Sequence, residues 1–156
     1  MKILLLYPES SKEKWLTEFQ QTYVEKISRF VKFEIQSIKT DNLPREKSDQ
    51  KKKNEAQKIL KLLKDNDQVI LFDEAGKSFK DSHGFSNALI KIIEASPQRV
   101  VIIVGGAFGL DDSVKQVHKN IWSLSGLTMN HHVAQAFLLE QVYRALTIWK
   151  GIPYHN

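Results

Sequence analysis

The stretch that decides the fold is Val100-Val101-Ile102-Ile103-Val104-Gly105-Gly106-Ala107-Phe108-Gly109. Five consecutive apolar residues without a polar break indicate a strand covered on both faces, as in a parallel sheet flanked by helices. The run passes directly into a glycine turn. Open α/β sheets bind ligands beyond the carboxyl ends of their strands, and glycines there let backbone N–H groups approach a ligand or permit positive φ. The spacing is neither Gly-x-Gly-x-x-Gly nor Gly-x-x-x-x-Gly-Lys-Ser/Thr, so a Rossmann dinucleotide site and a Walker phosphate cradle are disfavoured. A tight turn that simply needs glycine is the plain alternative.

Working outward, Lys2 to Tyr7 and Val69 to Phe72 are further runs of the buried-strand type. Pro8 ends the first. Ser10 and Glu13 fit a capping box that opens a helix to about Phe30, with Trp15, Phe19, Tyr23, Ile27 and Phe30 on one face. Val31 to Ile38 alternates apolar and polar residues, which suits a strand near a sheet edge. Thr40 to Asp49 is a polar connection expected to be mobile. A helix over Ser48 to Lys64 follows, with Ala56, Ile59, Leu60, Leu62 and Leu63 as its buried side. Asp73 to Lys77 closes the next strand. Asp81 or Ser82 caps a helix to Ala95, which Pro97 stops. Asp111 or Asp112 caps a short helix to about Asn120, and a short strand then leads into Trp122. The last helix is broadly apolar through Val133, Ala134, Phe137, Leu138, Val142, Ala145, Leu146, Ile148 and Trp149, as expected of a core helix or a dimer interface. Strands alternating with helices predict an α/β fold, a mostly parallel sheet with helices on both faces, in a single domain over 1–156.

The bulk properties narrow the function classes. With 156 residues and 42% hydrophobic content one substantial core is expected. The absence of cysteine excludes disulfides, thiolate chemistry and Cys-ligated metal, and fits a reducing cytoplasm. The apolar amino-terminal run is too short for a signal peptide, and no membrane-spanning stretch occurs. A soluble cytoplasmic protein is expected, with no membrane partner. Net charge is +5. From Arg45 to Lys64 eight basic residues stand against three acids, an excess equal to that of the whole chain. A solvated helix face accounts for this, and so does a phosphate-contacting surface. His131 and His132 are adjacent, not four apart, and no His-Glu-x-x-His occurs, so no metal is expected. No nucleophile elbow is present. Asp73 and Glu74 at a strand end suit acid–base work or an ordinary turn.

Three segments together carry a resemblance. These are Val104 to Gly109, then Trp122-Ser123-Leu124-Ser125-Gly126-Leu127-Thr128, then Glu140-Gln141-Val142-Tyr143-Arg144-Ala145 with Gly151-Ile152-Pro153-Tyr154-His155. They resemble the bacterial large-subunit rRNA pseudouridine N3-methyltransferases (the RlmH family), compact members of the SPOUT superfamily. The resemblance spans the chain and is most specific in its last third. It implies a carboxyl-terminal trefoil knot, a homodimer, S-adenosylmethionine as methyl donor, and a pseudouridine of 23S rRNA in assembled ribosomes as substrate. Carried over by position, the donor pocket takes Phe72, Gly105, Leu124, Ser125, Gly126, Leu127, Thr128 and Met129. The tail with Tyr154 and His155 would help close the partner's pocket. Loss of the N3 proton calls for a base or an anion stabiliser, for which His155, Arg144 and His131 are the candidates, His155 first.

The chain also departs from that pattern. Where the family usually shows Leu-Pro-His and then an arginine, this chain has Met129-Asn130-His131 and Gln135. Asn130 lacks proline's rigidity and Gln135 removes a cation. The alternatives are therefore a SPOUT methyltransferase acting on another RNA such as tRNA, a catalytically impaired RNA-binding paralogue, and a flavodoxin-like nucleotide binder.

Overall fold

The computed structural model describes residues 1–9, 11–95 and 98–154. Five strands form one parallel sheet: β1 (Lys2–Pro8), β2 (Lys32–Ile38), β3 (Gln68–Lys77), β4 (Arg99–Val104) and β5 (Asn120–Trp122), in the order β2-β1-β4-β3-β5. The connections carry α1 (Lys14–Ser28), α2 (Ser48–Leu62), α3 (Ser82–Ala95) and α4 (Asp112–Lys115), and α5 (His131–Trp149) follows the last strand. The continuous apolar runs occupy the three central positions, and the alternating strand β2 pairs only with β1 at an edge.

Successive side chains of a strand face opposite ways, and the core divides accordingly. Ile3, Leu5, Ile70, Phe72, Val100, Ile102 and Val104 pack under α1, α3 and α5. Leu4, Leu6, Val69, Leu71, Val101 and Ile103 pack under α2 and α4. Helices therefore cover both faces, as the runs predict. Each strand side chain of this kind contributes about 1.5–3 kcal/mol by leaving water. Two of the strands are also cross-tied at the amino-terminal end of the sheet: Arg99 Nε donates to Asp67 Oδ1 at 2.7 Å.

Several local expectations shift. α1 starts at Lys14 with Glu13 as its N-cap and no side-chain cap, and Ser10 lies outside the described residues. Trp15 is 45% exposed and Leu16 takes the buried position instead. The stripe from Phe19 onward holds, because the face rotates by about 100° per residue and one residue corrects the first turn. In α2, Leu60 is exposed and Glu55, Ala56 and Ile59 form the buried side. The polar connection is pinned down: Thr40 Oγ1 donates to Glu9 O at 2.9 Å, and Asn54 Nδ2 to Asp41 Oδ2 at 2.6 Å. Asp81 caps α3, Oδ1 accepting from Gly84 N at 2.8 Å. Asp111 caps α4, which is a single turn, and Asn120 opens β5.

The largest difference concerns β3. Instead of ending at Phe72 the strand continues to Lys77 through an irregularity, and both Phe72 and Lys77 register against Trp122. Residues 73–76 thus bow out at the carboxyl end of the sheet, which sets up the cavity described next.

Candidate active site

The carboxyl ends of β3, β4 and β5 converge on a cavity of about 730 Å³, a volume suited to a nucleoside-sized ligand. Its walls are Phe72 to Ala75 from the bowed segment of β3, Val104 to Leu110 from the glycine turn, and the loop after β5. The start of α5 adds Asn130, His131 and Ala134, while Lys52 of α2 and Lys115 of α4 border it. All the residues expected at a donor pocket line this cavity except Gly126, which is carried on the same loop.

Each wall is shaped by its own sequence. In the glycine turn, Gly109 N donates to Gly106 O at 3.0 Å and Gly109 has φ of 78°, a left-handed value that glycine adopts without penalty. A Cβ on Gly105 would meet Gly109 C at 2.8 Å, so the turn closes on a bare α-carbon. The loop after β5 is stapled by its own hydroxyls. Ser123 Oγ donates to Ser125 O at 2.9 Å, and Ser125 Oγ accepts from Leu127 N at 3.0 Å. Ser123 N donates to Lys77 O at 2.8 Å, tying the loop to the end of β3. The hydroxyls of this loop act as struts that hold its backbone.

Charge around the cavity is mostly compensated. Asp73 receives Lys115 Nζ at 2.7 Å. Burial pushes the Asp73 carboxyl up, but Lys115 and the Ala75 N–H outweigh it and hold it below the usual value. It stays ionised, which makes it a poor proton donor at neutral pH. Burial, with the charges of His132 and Lys51 added, holds His131 below the usual imidazole value, so it is neutral at neutral pH. His131 is half-buried with its ring centroid 4.1 Å from that of His132.

The other catalytic candidates stand elsewhere. Arg144 does not line the cavity; its Nε donates to Glu140 Oε1 at 3.0 Å and its guanidinium lies 4.8 Å from the Tyr154 ring centroid. Tyr154 Oη donates to the same Glu140 Oε1 at 3.1 Å, and its ring meets that of Tyr143 edge-on at 4.8 Å. Tyr143-Arg144 and Pro153-Tyr154 are thus two halves of one clasp that folds the tail back on α5. This contact brings the two segments together in space. His155 lies outside the described residues.

The two departures have structural answers. Asn130 has φ of −58°, within the range a proline ring imposes, and its Oδ1 caps α5 by accepting from His132 N at 2.8 Å. Gln135 is 1% exposed and its Oε1 accepts from Gln20 Nε2 of α1 at 3.0 Å. A cation at that position would be buried against an amide. Gln135 does not line the cavity, and Asn130 lines it as the cap of α5.

Sequence reading missed Glu55, which packs beneath the glycine turn. It is 6% exposed, and a Cβ on Gly106 would lie 3.7 Å from its Oε2. Burial raises its carboxyl above the usual 4.5, against the pull of Lys51 and Lys58. A raised folded-state value means that stability is present at low pH and is lost as pH climbs from the unfolded value through the folded one. Glu55→Gln is therefore expected to gain stability over the wild type, with a gap that opens as pH rises above the ordinary carboxylate range. Urea unfolding across that range measures it, and a gap independent of pH would contradict the assignment.

Among the described residues no group of His, Asp and Glu is placed to hold a metal ion, and no helix is long and apolar enough to cross a membrane. The chain matches the family described as “Predicted SPOUT methyltransferase” over residues 1–155. It is 44% identical to “Ribosomal RNA large subunit methyltransferase H” of Bdellovibrio bacteriovorus, over all of this chain and 99% of that one. It is 34% identical to the protein of the same name in Porphyromonas gingivalis, again over all of this chain and 99% of the other. Among solved structures, a putative methyltransferase of Legionella pneumophila with bound SAM superposes with a TM-score of 0.51 at 15% identity. That likeness covers 93% of this chain and 66% of the other. A probable methylase family protein of Haemophilus influenzae gives 0.50 at 10% identity, covering 99% of this chain and 70% of that one. The structural likenesses speak to the fold, and the full-length sequence matches to descent. The chain belongs to the SPOUT methyltransferase family.

Proposed function

We propose that this chain uses S-adenosylmethionine to methylate N3 of a pseudouridine in large-subunit rRNA of assembled ribosomes, acting as a homodimer in the cytoplasm. The observation that carries the reading is the cavity at the ends of β3, β4 and β5, walled by two backbone turns and by apolar side chains. The names of the full-length relatives supply the substrate class.

The lining fits the donor. Phe72, Leu124 and Met129 offer apolar surface to a purine and a thioether chain, and the backbone of Gly105 and of Leu124 to Met129 would hold its polar edges. When bound, the cofactor supplies an electrophilic sulfonium methyl. The protein's share of the work is then alignment of that methyl with the nucleophile. As the N3–methyl bond forms and the sulfur–methyl bond breaks, the N3 proton has to be taken up. A neutral His131 at the cavity is suited to accept it, with His155 the second candidate. Arg144 serves by clasping Tyr154 and so aiming the tail.

Dimerisation is supported by the apolar surface left uncovered. Leu127 is exposed beside the cavity, and Val133 and Phe137 stand exposed four residues apart on α5. A two-fold related copy would cover this surface on both subunits at once. A trefoil threading of the carboxyl-terminal segment accords with the close passage of β3 over β5 at Gly76 and Trp122.

Ribosomes lacking the modification, incubated with the protein and donor, are expected to yield one new methylated pseudouridine on mass mapping of nucleosides. S-adenosylhomocysteine is expected to bind in the micromolar range, on the order of −8 kcal/mol. Undetectable binding at millimolar ligand sinks the reading. Methyl transfer to protein-free tRNA but not to ribosomes replaces the substrate.

A further inference from the structure

We infer that RNA enters this cavity across Phe108, with a base of the substrate strand stacked on its ring and the adjoining phosphates met by Lys51 and Lys52. The inference rests on an RNA substrate and deepens that reading by naming the entry side and the residues that form it.

Phe108 sits at the tip of the turn between Gly106 and Gly109, which is closed by an antiparallel bridge and the left-handed Gly109. It lines the cavity yet is 39% exposed, whereas Phe72 and Val104 on the inner wall are buried. A lone exposed apolar side chain is ordinary on a surface. Its setting is less so, because a short rigid turn holds the ring at the rim of a ligand cavity.

The flanking charges add an independent observation. Lys51 Nζ stands 5.9 Å from the Phe108 ring centroid. Lys51 and Lys52 are half-buried, laid against the protein, and Lys52 borders the cavity itself. Both belong to the Arg45–Lys64 segment, whose +5 excess equals the net charge of the chain. An aromatic ring beside cations at the mouth of a cavity matches a polyanion that also presents flat π faces, as a single-stranded nucleic acid does. A base made accessible for N3 chemistry has to leave its stack, and an aromatic ring replaces part of the lost stacking.

Three variants test this with two readouts, retention of a large-subunit RNA stem-loop on filters and S-adenosylhomocysteine calorimetry. Phe108→Ala is expected to weaken RNA retention by about ten- to a hundredfold, well beyond any fall in cofactor affinity. Phe108→Trp is expected to restore RNA retention. Lys51→Gln is expected to lower the slope of log affinity against log salt by about one. Unchanged RNA retention in Phe108→Ala overturns the proposal. So does a fall in cofactor affinity as large as the fall in RNA affinity, since Phe108 would then serve the donor and not the RNA. Should the wild type fail to methylate ribosomes while Phe108→Ala still loses RNA, the substrate reading falls and the entry side stands.

Discussion

A Gly105→Val variant is expected to lose S-adenosylhomocysteine binding by a hundredfold or more while remaining folded. Sequence alone suggests that a side chain here fills the ligand slot. The structure gives a different cause: the first carbon added meets Gly109 C at 2.8 Å, Gly109 Cα at 3.0 Å and Leu110 N at 3.1 Å, all of them backbone. Backbone atoms in a closed turn cannot swing aside as a side-chain tip does, so Gly109 and Leu110 must move together. Overpacking of this kind costs about 1–3 kcal/mol, which the sheet can bear. The displaced turn carries Gly106 to Gly109 along the cavity wall, and ligand contacts with a backbone surface tolerate little displacement. Calorimetry gives the affinity and a thermal melt checks that the fold survives. Gly126→Ala is the control, because nothing lies within 4 Å of its added Cβ despite its place in the ligand loop after β5. Affinity in Gly105→Val within threefold of the wild type would show that the turn does not bound the donor.

How far such features are visible in the sequence depends on what encodes them. The sheet was legible because Leu4 to Leu6, Val69 to Phe72 and Val100 to Val104 are buried on both faces, and continuous burial writes a continuous apolar run. The cavity was legible by position, since ligand sites collect at strand carboxyl ends, and by resemblance for the loop after Trp122. The continuation of β3 to Lys77 was not. Asp73-Glu74-Ala75-Gly76-Lys77 is polar, because it bows out to line a solvated cavity, and a polar stretch after an apolar run reads as a loop. The clasp of Arg144 and Tyr154 was equally hidden. An arginine and a tyrosine ten residues apart carry no local signal of contact, and here the guanidinium lies against the tail's ring. Asn130 and Gln135 looked like losses because only the missing proline and cation register in sequence. Their structural roles, a capped helix end and an amide pair with Gln20, exist only in the folded chain.

Gly76→Ala is expected to be the more damaging substitution, with a loss of several kcal/mol and a fall in melting temperature of roughly 10 °C or more for a domain of this size. A Cβ at Gly76 would lie 2.5 Å from Trp122 C, 2.7 Å from Trp122 N and 2.8 Å from Trp122 Cα. The backbone of β3 thus passes directly against that of β5, and the requirement is for space alone, since Gly76 is not among the glycines with positive φ. One methyl group must part the strands where Lys77 O accepts from Ser123 N. Trp122 cannot yield, because its ring is held edge-on by Phe72, Phe79 and Phe85 at centroid distances of 6.1, 5.0 and 5.8 Å. The strain therefore passes both into the aromatic core and into the loop from Ser123 to Thr128. Stability and donor affinity should fall together, unlike the Gly105 variant, in which affinity falls with the fold largely kept. Differential scanning calorimetry alongside ligand titration separates the two patterns. A Gly76→Ala protein that melts within a few degrees of the wild type and binds the ligand normally would mean that β3 and β5 do not cross in contact.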